Sequence, residues 1–273
     1  MTNDGSFRVV TVNSSDTVRG VLEAQAATGP TARHLADLTT GAILVRETMS
    51  PTLRVQSILK SRDTSGYLLA DSHPSGTARG LVSAKSALGD FEMRDAVLKV
   101  VRSMHDGRVH QSVVSVPDGG DVSTALMTYM QESEQITTMI VVSTIDGPAG
   151  VPVAGGYLLQ LLPNARRDML AIMTERLEDF RNIDAFLRRG NFSPRDLLSE
   201  LLYGMEHTLL GESSIRAGCW CSRSSMMAAL ASLPRLEVKA MVDAGEILEI
   251  HCDYCRRDYR VTPQELSGLV AEN

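Results

Sequence analysis

The chain has 273 residues, of which 43% are hydrophobic, 22% charged and only 4% aromatic, and its formal net charge is −6. That is enough apolar material for one sizeable, mostly aliphatic core and a smaller module beside it. Acidic side chains outnumber basic ones in each of residues 1–163, 164–215 and 216–273, which counts against a surface built to hold a nucleic-acid phosphate backbone.

Residues 1–163 mix strand and helix signals. The first seven residues carry neither a basic n-region nor an apolar run, so no secretory signal is expected. No apolar stretch approaches the length of a membrane span, and the expected compartment is the cytoplasm. Phe7–Val12 is a strand candidate. Residues 32–49 read as a helix, with Leu35, Leu38, Ala42, Val45 and Met49 spaced by threes and fours and Ser50-Pro51 as the stop. Strand-like runs follow at Leu53–Leu59, Gly66–Ala70, Leu98–Arg102 and Val109–Val116, with turn signals at Asp106-Gly107 and at Pro117 to Gly120. Residues 121–135 read as a helix carrying Leu126, Met127 and Met130. Thr138–Ile145 and Val153–Leu162 are two further strands, joined by Asp146-Gly147-Pro148. The expected class is α+β: an N-terminal core domain with mixed sheets.

After Pro163 the pattern becomes helical. Leu170, Met173, Leu177, Phe180 and Leu187 are expected on one face of a first helix that stops at Gly190. Ser193-Pro194 begins a second helix, Ser as N-cap and Pro at the first helical position, with an apolar stripe of Leu197, Leu198, Leu201, Leu202 and Met205. Residues 164–215 are read either as two ordinary core-packing helices or as a helical linker that docks on a neighbour and can come off. Residues 216–273 form a small module. It has helices over Ser222–Leu233 and Leu236–Val242, strands Ile247–His251 and Arg257–Val261, and a last helix opened by the capping box Thr262-Pro-Gln-Glu265.

All four cysteines lie in this module, as Cys219-x-Cys221 and Cys252-x-x-Cys255. Two close Cys pairs far apart in sequence are the usual way to build a tetrahedral four-thiolate zinc site, one ion per chain, closed to substrate and therefore not catalytic. Four thiols in a reducing compartment are not expected to rest as disulfides. A purely structural zinc satisfies the spacing, since a module of this size has little core of its own and zinc would contribute on the order of 10–16 kcal/mol to its folding. A redox switch satisfies it as well. Zinc keeps the sulfurs as nucleophilic thiolates, and an oxidant that takes two electrons from a pair leaves a disulfide and no site. Arg216, Arg223, Arg256 and Arg257 are expected near the sulfurs. A bond within Cys219-x-Cys221 would need a local bend, because an extended chain sets these Cα atoms about 7 Å apart. His251 is a possible substitute ligand, but in a strand it points away from Cys252.

These residues resemble the redox-regulated chaperones of the 33-kilodalton heat-shock protein family. The strongest match is Gly218-Cys-Trp-Cys-Ser-Arg223 with His251-Cys-Asp-Tyr-Cys255, followed by Tyr259. Tyr129-Met-Gln-Glu-Ser-Glu-Gln135 and the stretch from Ala154 to Pro163 match as well. The resemblance implies an ATP-independent holdase rather than an enzyme, inactive when reduced and zinc-bound. On oxidation Cys219 would pair with Cys221 and Cys252 with Cys255, zinc would leave, the C-terminal part would unfold, and exposed apolar surface would capture unfolding client proteins. The active form is expected to be a homodimer. Leu170, Met173, Leu177, Phe180, Leu197 and Leu201, with the surface they cover on residues 1–163, are the expected client-binding residues.

Two other classes compete with this one. A thiol–disulfide oxidoreductase would place its CxxC at a helix start after an early strand, whereas Cys252 to Cys255 follow a late one. The other is a zinc-ribbon adaptor for nucleic acid or protein; the neutral-to-acidic module and scarce aromatics count against nucleic acid. Residues 1–218 show no nucleophile–base spacing, and Gly119-Gly120 and Gly155-Gly156 read as turn and close-packing glycines rather than a phosphate loop.

Overall fold

The first strand, β1 (Phe7–Asn13), is an edge of a three-stranded antiparallel sheet completed by β8 (Pro152–Leu161) in the middle and β7 (Thr138–Asp146). A larger sheet runs in the order β6 (Val109–Ser115), β5 (Val97–Ser103), β2 (Arg54–Lys60), β3 (Tyr67–His73), β4 (Thr77–Val82) and β9 (Arg216–Ala217). Its pairs are antiparallel except the last, where Thr77 and Ala78 run parallel to Arg216 and Ala217, so the sheet is mixed. This computed structural model describes residues 1–62, 66–83, 91–104, 107–190 and 192–271. The Asp106 half of the expected Asp106-Gly107 turn lies outside them.

The helix α2 (Gly29–Glu47) packs against β2, β3 and β4 of the larger sheet and against β1, β7 and β8 of the smaller one. This position explains its sequence. The expected stripe of Leu35, Leu38, Ala42 and Val45 is buried, but so are Thr39, Thr40, Ile43 and Leu44, because both sides of the helix face a sheet. Helix α3 (Val122–Glu132) covers β5, β6 and β7, with Leu126, Tyr129 and Met130 in the main core and Asp121 as N-cap, accepting from the Thr124 N–H.

Helix α1 (Ser15–Gln25), strand β4 and the two-residue strand β9 have no counterpart in the sequence reading. Helix α1 carries Thr17, Val18, Val21 and Gly20, residues of modest helix propensity that packing overrides. Strand β4 carries Gly80 in mid-strand, where a glycine weakens strand character. A Cβ there would meet Val21 Cγ1 at 2.6 Å and Leu35 Cδ1 at 3.0 Å, so the glycine is what lets α1 and α2 lie on the strand.

The expected continuous helix through Leu187 is also corrected. Helix α4 (Arg167–Asp179) ends at Phe180, and a separate turn, α5 (Asp184–Leu187), follows. The Asn182 side chain accepts from the Asp184 N–H at 2.7 Å, an Asx turn that starts the new direction. Helix α6 (Pro194–Leu201) begins as expected, with Ser193 and Asp196 exchanging capping-box hydrogen bonds. Residues along this segment join a second core with the smaller sheet: Met173, Ile183, Phe186, Leu187, Phe192, Leu197, Leu201, Leu202 and Met205 pack with Phe7, Val141, Ile145, Tyr157 and Leu159.

The described residues fall into two compact units, Met1–Ala217 and Gly218–Asn273. The second contains α7 (Arg223–Ala231), α8 (Arg235–Ala244), the hairpin β10 (Leu248–His251) with β11 (Asp258–Val261), and α9 (Pro263–Ala271). Gly245 caps α8 at φ +68°, and Thr262 and Glu265 form the expected capping box of α9. Among the described residues, its apolar cluster buries Leu230, Val261 and Leu266. Among the described residues no helix is long and apolar enough to cross a membrane.

Candidate metal centre

The hairpin positions one cysteine pair. His251 is paired with Asp258 at the end of the β10–β11 ladder, and the chain then turns back on itself: the Cys252 N–H donates to the Arg257 carbonyl at 2.9 Å and the Arg256 N–H to the Cys252 carbonyl at 2.8 Å. Arg256 accepts a left-handed backbone, φ +57°, to close this knuckle. The other pair sits immediately before α7, whose start is fixed by a capping box between Ser222 and Ser225.

The two pairs meet. All four Sγ atoms lie within 4.8 Å of one another. Cys219 Sγ is 3.7 Å from Cys252 Sγ, and Cys221 Sγ is 3.4 Å from Cys255 Sγ. A tetrahedral ion with bonds of about 2.3 Å to sulfur sets its ligands about 3.8 Å apart, whereas a disulfide needs about 2.05 Å. The four cysteines form no disulfide, and their arrangement fits a four-sulfur metal site. Among the described residues no other group of three or more His, Cys, Asp or Glu side chains is gathered in this way. His251 stays out of the cluster, its Nδ1 hydrogen-bonded across the hairpin to Asp258.

The electrostatics suit one ion and disfavour four bare thiolates. Burial pushes the Cys255 thiol up to about 12, and the neighbouring sulfurs add to that. Burial also raises Cys252. Burial alone would raise Cys221, but hydrogen bonds led by Tyr259 and then the other three cysteines outweigh it and bring this thiol down to about 7. The Tyr259 hydroxyl donates to Cys221 Sγ at 3.1 Å. Arg257 lies against Tyr259 and is coupled to the charges of Cys221 and Cys255.

The expectation of four arginines at the sulfurs is corrected in part. Arg223 is turned to the Arg260 carbonyl at 2.8 Å and to the Glu265 carboxylate. Arg216 belongs to β9 of the first unit. Arg256 serves the knuckle through its backbone. Of the four, Arg257 faces the sulfurs as expected, whereas Tyr259, which touches Cys221, stood in the sequence as part of the motif without an assigned role.

The six expected client-binding residues are placed unequally. Met173, Leu197 and Leu201 are at most 1% exposed, and Leu177 and Phe180 are partly buried against the same cluster. Leu170 does not share that face; it is 40% exposed, as is its neighbour Ile172 at 46%.

A cleft of about 700 Å³ opens beside α4 and α5, lined among others by Asp37, Asp121, Thr144, Leu177, Arg181 and Asp184. Asp37 accepts from the Thr144 hydroxyl at 2.7 Å, and its carboxyl is pushed up to about 7, by burial first and further by Asp121 and Asp184.

An α+β unit is followed by a small module whose four cysteines are close enough to hold one metal ion, with sulfur at all four ligand positions. The sequence model of the Hsp33 protein family matches residues 1–262, and the chain belongs to that family. A 33 kDa chaperonin of Picosynechococcus is 28% identical over 98% of this chain and 97% of its own length. That of Synechocystis is 29% identical over 98% and 93%, and that of Thermus thermophilus 28% identical over 100% and 85%. The crystal structure of the 33 kDa chaperonin from Thermotoga maritima superposes with a TM-score of 0.82 over 98% of this chain and 94% of that one, at 22% identity, a likeness of fold.

Proposed function

We propose that this protein is an ATP-independent holdase chaperone gated by the redox state of Cys219, Cys221, Cys252 and Cys255, and that it is not an enzyme. The observation that carries the reading is the gathering of the four sulfurs within 4.8 Å in a unit with three residues in its buried apolar cluster. A bound zinc ion would hold these sulfurs as thiolates and contribute most of the folding free energy of residues 218–273. Such a unit stands or falls with its sulfur chemistry.

The oxidative step balances with peroxide as the oxidant. One thiolate of a pair attacks a peroxide oxygen, giving a sulfenic acid and, after protonation, water. The second thiolate displaces hydroxide from that sulfur and forms the disulfide, so each peroxide accepts two electrons and yields two waters with two protons. Two peroxides convert the four thiolates into two disulfides, Cys219 with Cys221 and Cys252 with Cys255, and the site has no ligands left. The unit unfolds, and residues 164–215, acting as a linker, leave the smaller sheet. Leu177, Phe180, Leu197, Leu201 and Met173, with Leu170 at the rim, and the sheet surface they cover then bind unfolding proteins. The active form is a homodimer.

The test compares reduced and peroxide-treated protein for suppression of aggregation of a thermally unfolding protein. The oxidised form suppresses aggregation, the reduced form does not, and a thiol reductant with zinc restores the inactive form. Equal suppression by both forms contradicts the gate. Replacing Leu177 and Phe180 by Ser with no loss of oxidised activity contradicts the linker's part in client binding.

A further inference from the structure

The face of the smaller sheet beneath residues 180–194 is built in an unusual way for a packing surface. In the β1–β8 register Thr11 stands opposite Tyr157 and Asn13 opposite Gly155. Opposite residues share a face, as do residues two apart, so these four make one contiguous patch. Its continuation along the same face, Val9 opposite Leu159 and Phe7 opposite Leu161, is apolar.

Three side chains of the patch are donors, and all three reach main-chain carbonyls of the covering segment. The Tyr157 hydroxyl donates to the Phe180 carbonyl at 2.9 Å, the Asn13 amide to the Phe192 carbonyl at 3.2 Å, and the Thr11 hydroxyl to the Pro194 carbonyl at 2.8 Å. These carbonyls lie at the joints of the segment: after α4, just before α6, and at the first residue of α6. The fourth position is a slot. A Cβ on Gly155 would come within 2.7 Å of Phe192 Cζ and 3.4 Å of Leu187 Cδ2, and the Phe192 ring that fills the slot packs edge-on against Phe186 at 5.6 Å.

We infer that the patch of Thr11, Asn13, Gly155 and Tyr157 is a main-chain-reading dock, and that in the active holdase it binds irregular segments of unfolded polypeptide through their backbone carbonyls, with an aromatic or branched aliphatic side chain in the Gly155 slot. The inference rests on the holdase reading and names the client chemistry of that site. Donors aimed at carbonyls read no sequence, since nearly every residue offers the same acceptor. The covering segment is then an occupant that holds the dock in the resting protein. When it leaves, Tyr157, 0% exposed beneath it and in one apolar cluster with Phe7, Val141 and Leu159, is opened to water, and a client segment that buries this apolar surface again must supply an acceptor for its hydroxyl.

The experiment uses the full chain with Tyr157→Phe, Thr11→Val and both together. The probe is a fluorescently labelled, reduced and carboxymethylated protein that cannot refold. Binding to the oxidised chaperone is read by anisotropy, with zinc content and circular dichroism checked on the reduced form. The oxidised double variant is expected to bind the probe on the order of ten-fold more weakly, from the loss of two hydrogen bonds. The reduced, zinc-loaded variant is expected to gain binding, because the covering segment is held less firmly. Oxidised affinities within about two-fold of the unaltered chain, with reduced binding increased, would mean that the patch only holds the segment, and would overturn the inference. Should the variants lose their fold, a synthetic peptide of residues 180–196 serves instead. It and a shuffled peptide of the same composition should both compete with the probe for the oxidised, unaltered chain. No competition, or competition by the native order alone, overturns main-chain reading. Failure of the oxidised, unaltered chain to bind the probe at all sinks the holdase reading itself.

Discussion

The hydroxyl of Tyr259 donates to the sulfur of Cys221 at 3.1 Å, across 38 residues of sequence. The bond comes from β11, next to the Cys252–Cys255 knuckle, and lands on the opposite pair, so it ties the two halves of the cluster together. It also favours the thiolate form of Cys221, the form a metal binds. Groups that hydrogen-bond to metal ligands typically change affinity 10–100-fold when removed. Tyr259→Phe is expected to lower zinc affinity by that order while leaving four sulfurs per zinc. Competition against a chromophoric chelator measures it, and an affinity unchanged by the substitution would deny Tyr259 a role at the sulfurs.

Removing the metal is expected to unfold one unit and spare the other. Among the described residues the second unit has a small buried apolar cluster, whereas Met1–Ala217 holds two large clusters of its own. Chelation of the reduced protein should abolish amide protection in β10, β11 and α9 and preserve it in α2 and β8, as read by hydrogen exchange with mass spectrometry. Cys252→Ser should do the same without chelator.

The cap of α6 tunes the threshold. Ser193 accepts from the Asp196 N–H at 3.2 Å, and Asp196 returns a bond to the Ser193 N–H at 3.0 Å. Ser193→Ala removes half of this box at a cost of about 1 kcal/mol. The helix presents Leu197 and Leu201 to the smaller sheet, so the substitution is expected to lower the temperature or peroxide dose at which holdase activity appears, without changing bound zinc.

Asp37 gives the first unit a pH dependence of known sign. Its carboxyl is pushed up to about 7 from an ordinary value of 3.8. A group with a raised folded-state pKa contributes stability that is full below the unfolded value and is lost as pH rises through the folded one. Stability should therefore fall from about pH 4 to pH 7 by up to a few kcal/mol on this account. Asp37→Asn keeps the acceptor for Thr144 and removes the charge. Urea unfolding of the variant should lack this part of the decline, and identical pH profiles for the two proteins would refute it.

Much of the metal centre was legible in the sequence because its constraint is local. CxC and CxxC fix which sulfurs can share an ion, and Ser193-Pro194 and Thr262 with Glu265 state their caps within four residues. What the sequence hid depends on packing between distant elements. Nothing local in the sequence explains Gly80; its reason is that Val21 and Leu35 leave no room for a Cβ there. Gly20 and the β-branched residues of α1 obscure a helix that tertiary burial stabilises. The break after α4 had a signal, Asn182 two residues before Asp184, but the apolar spacing through Leu187 outweighed it. Asp71, 0% exposed and hydrogen-bonded to Arg54, Arg79 and Gln56, gives no sign of burial in a strand of mixed character. Arg257 was expected near the sulfurs, but the aim of Tyr259 at Cys221 depends on how the hairpin meets the other cysteine pair.

The gate itself is tested most directly by following zinc and chaperone activity in one sample. Reduced, zinc-loaded protein is exposed to peroxide at mild heat, zinc release is read with a chromophoric indicator, and aggregation of a thermally unfolding protein is read by light scattering. The account predicts that one zinc per chain leaves as suppression of aggregation appears, and that thiol with added zinc reverses both. Zinc that stays bound through oxidation, or suppression that is the same before and after it, would contradict the account and leave the four cysteines a structural site.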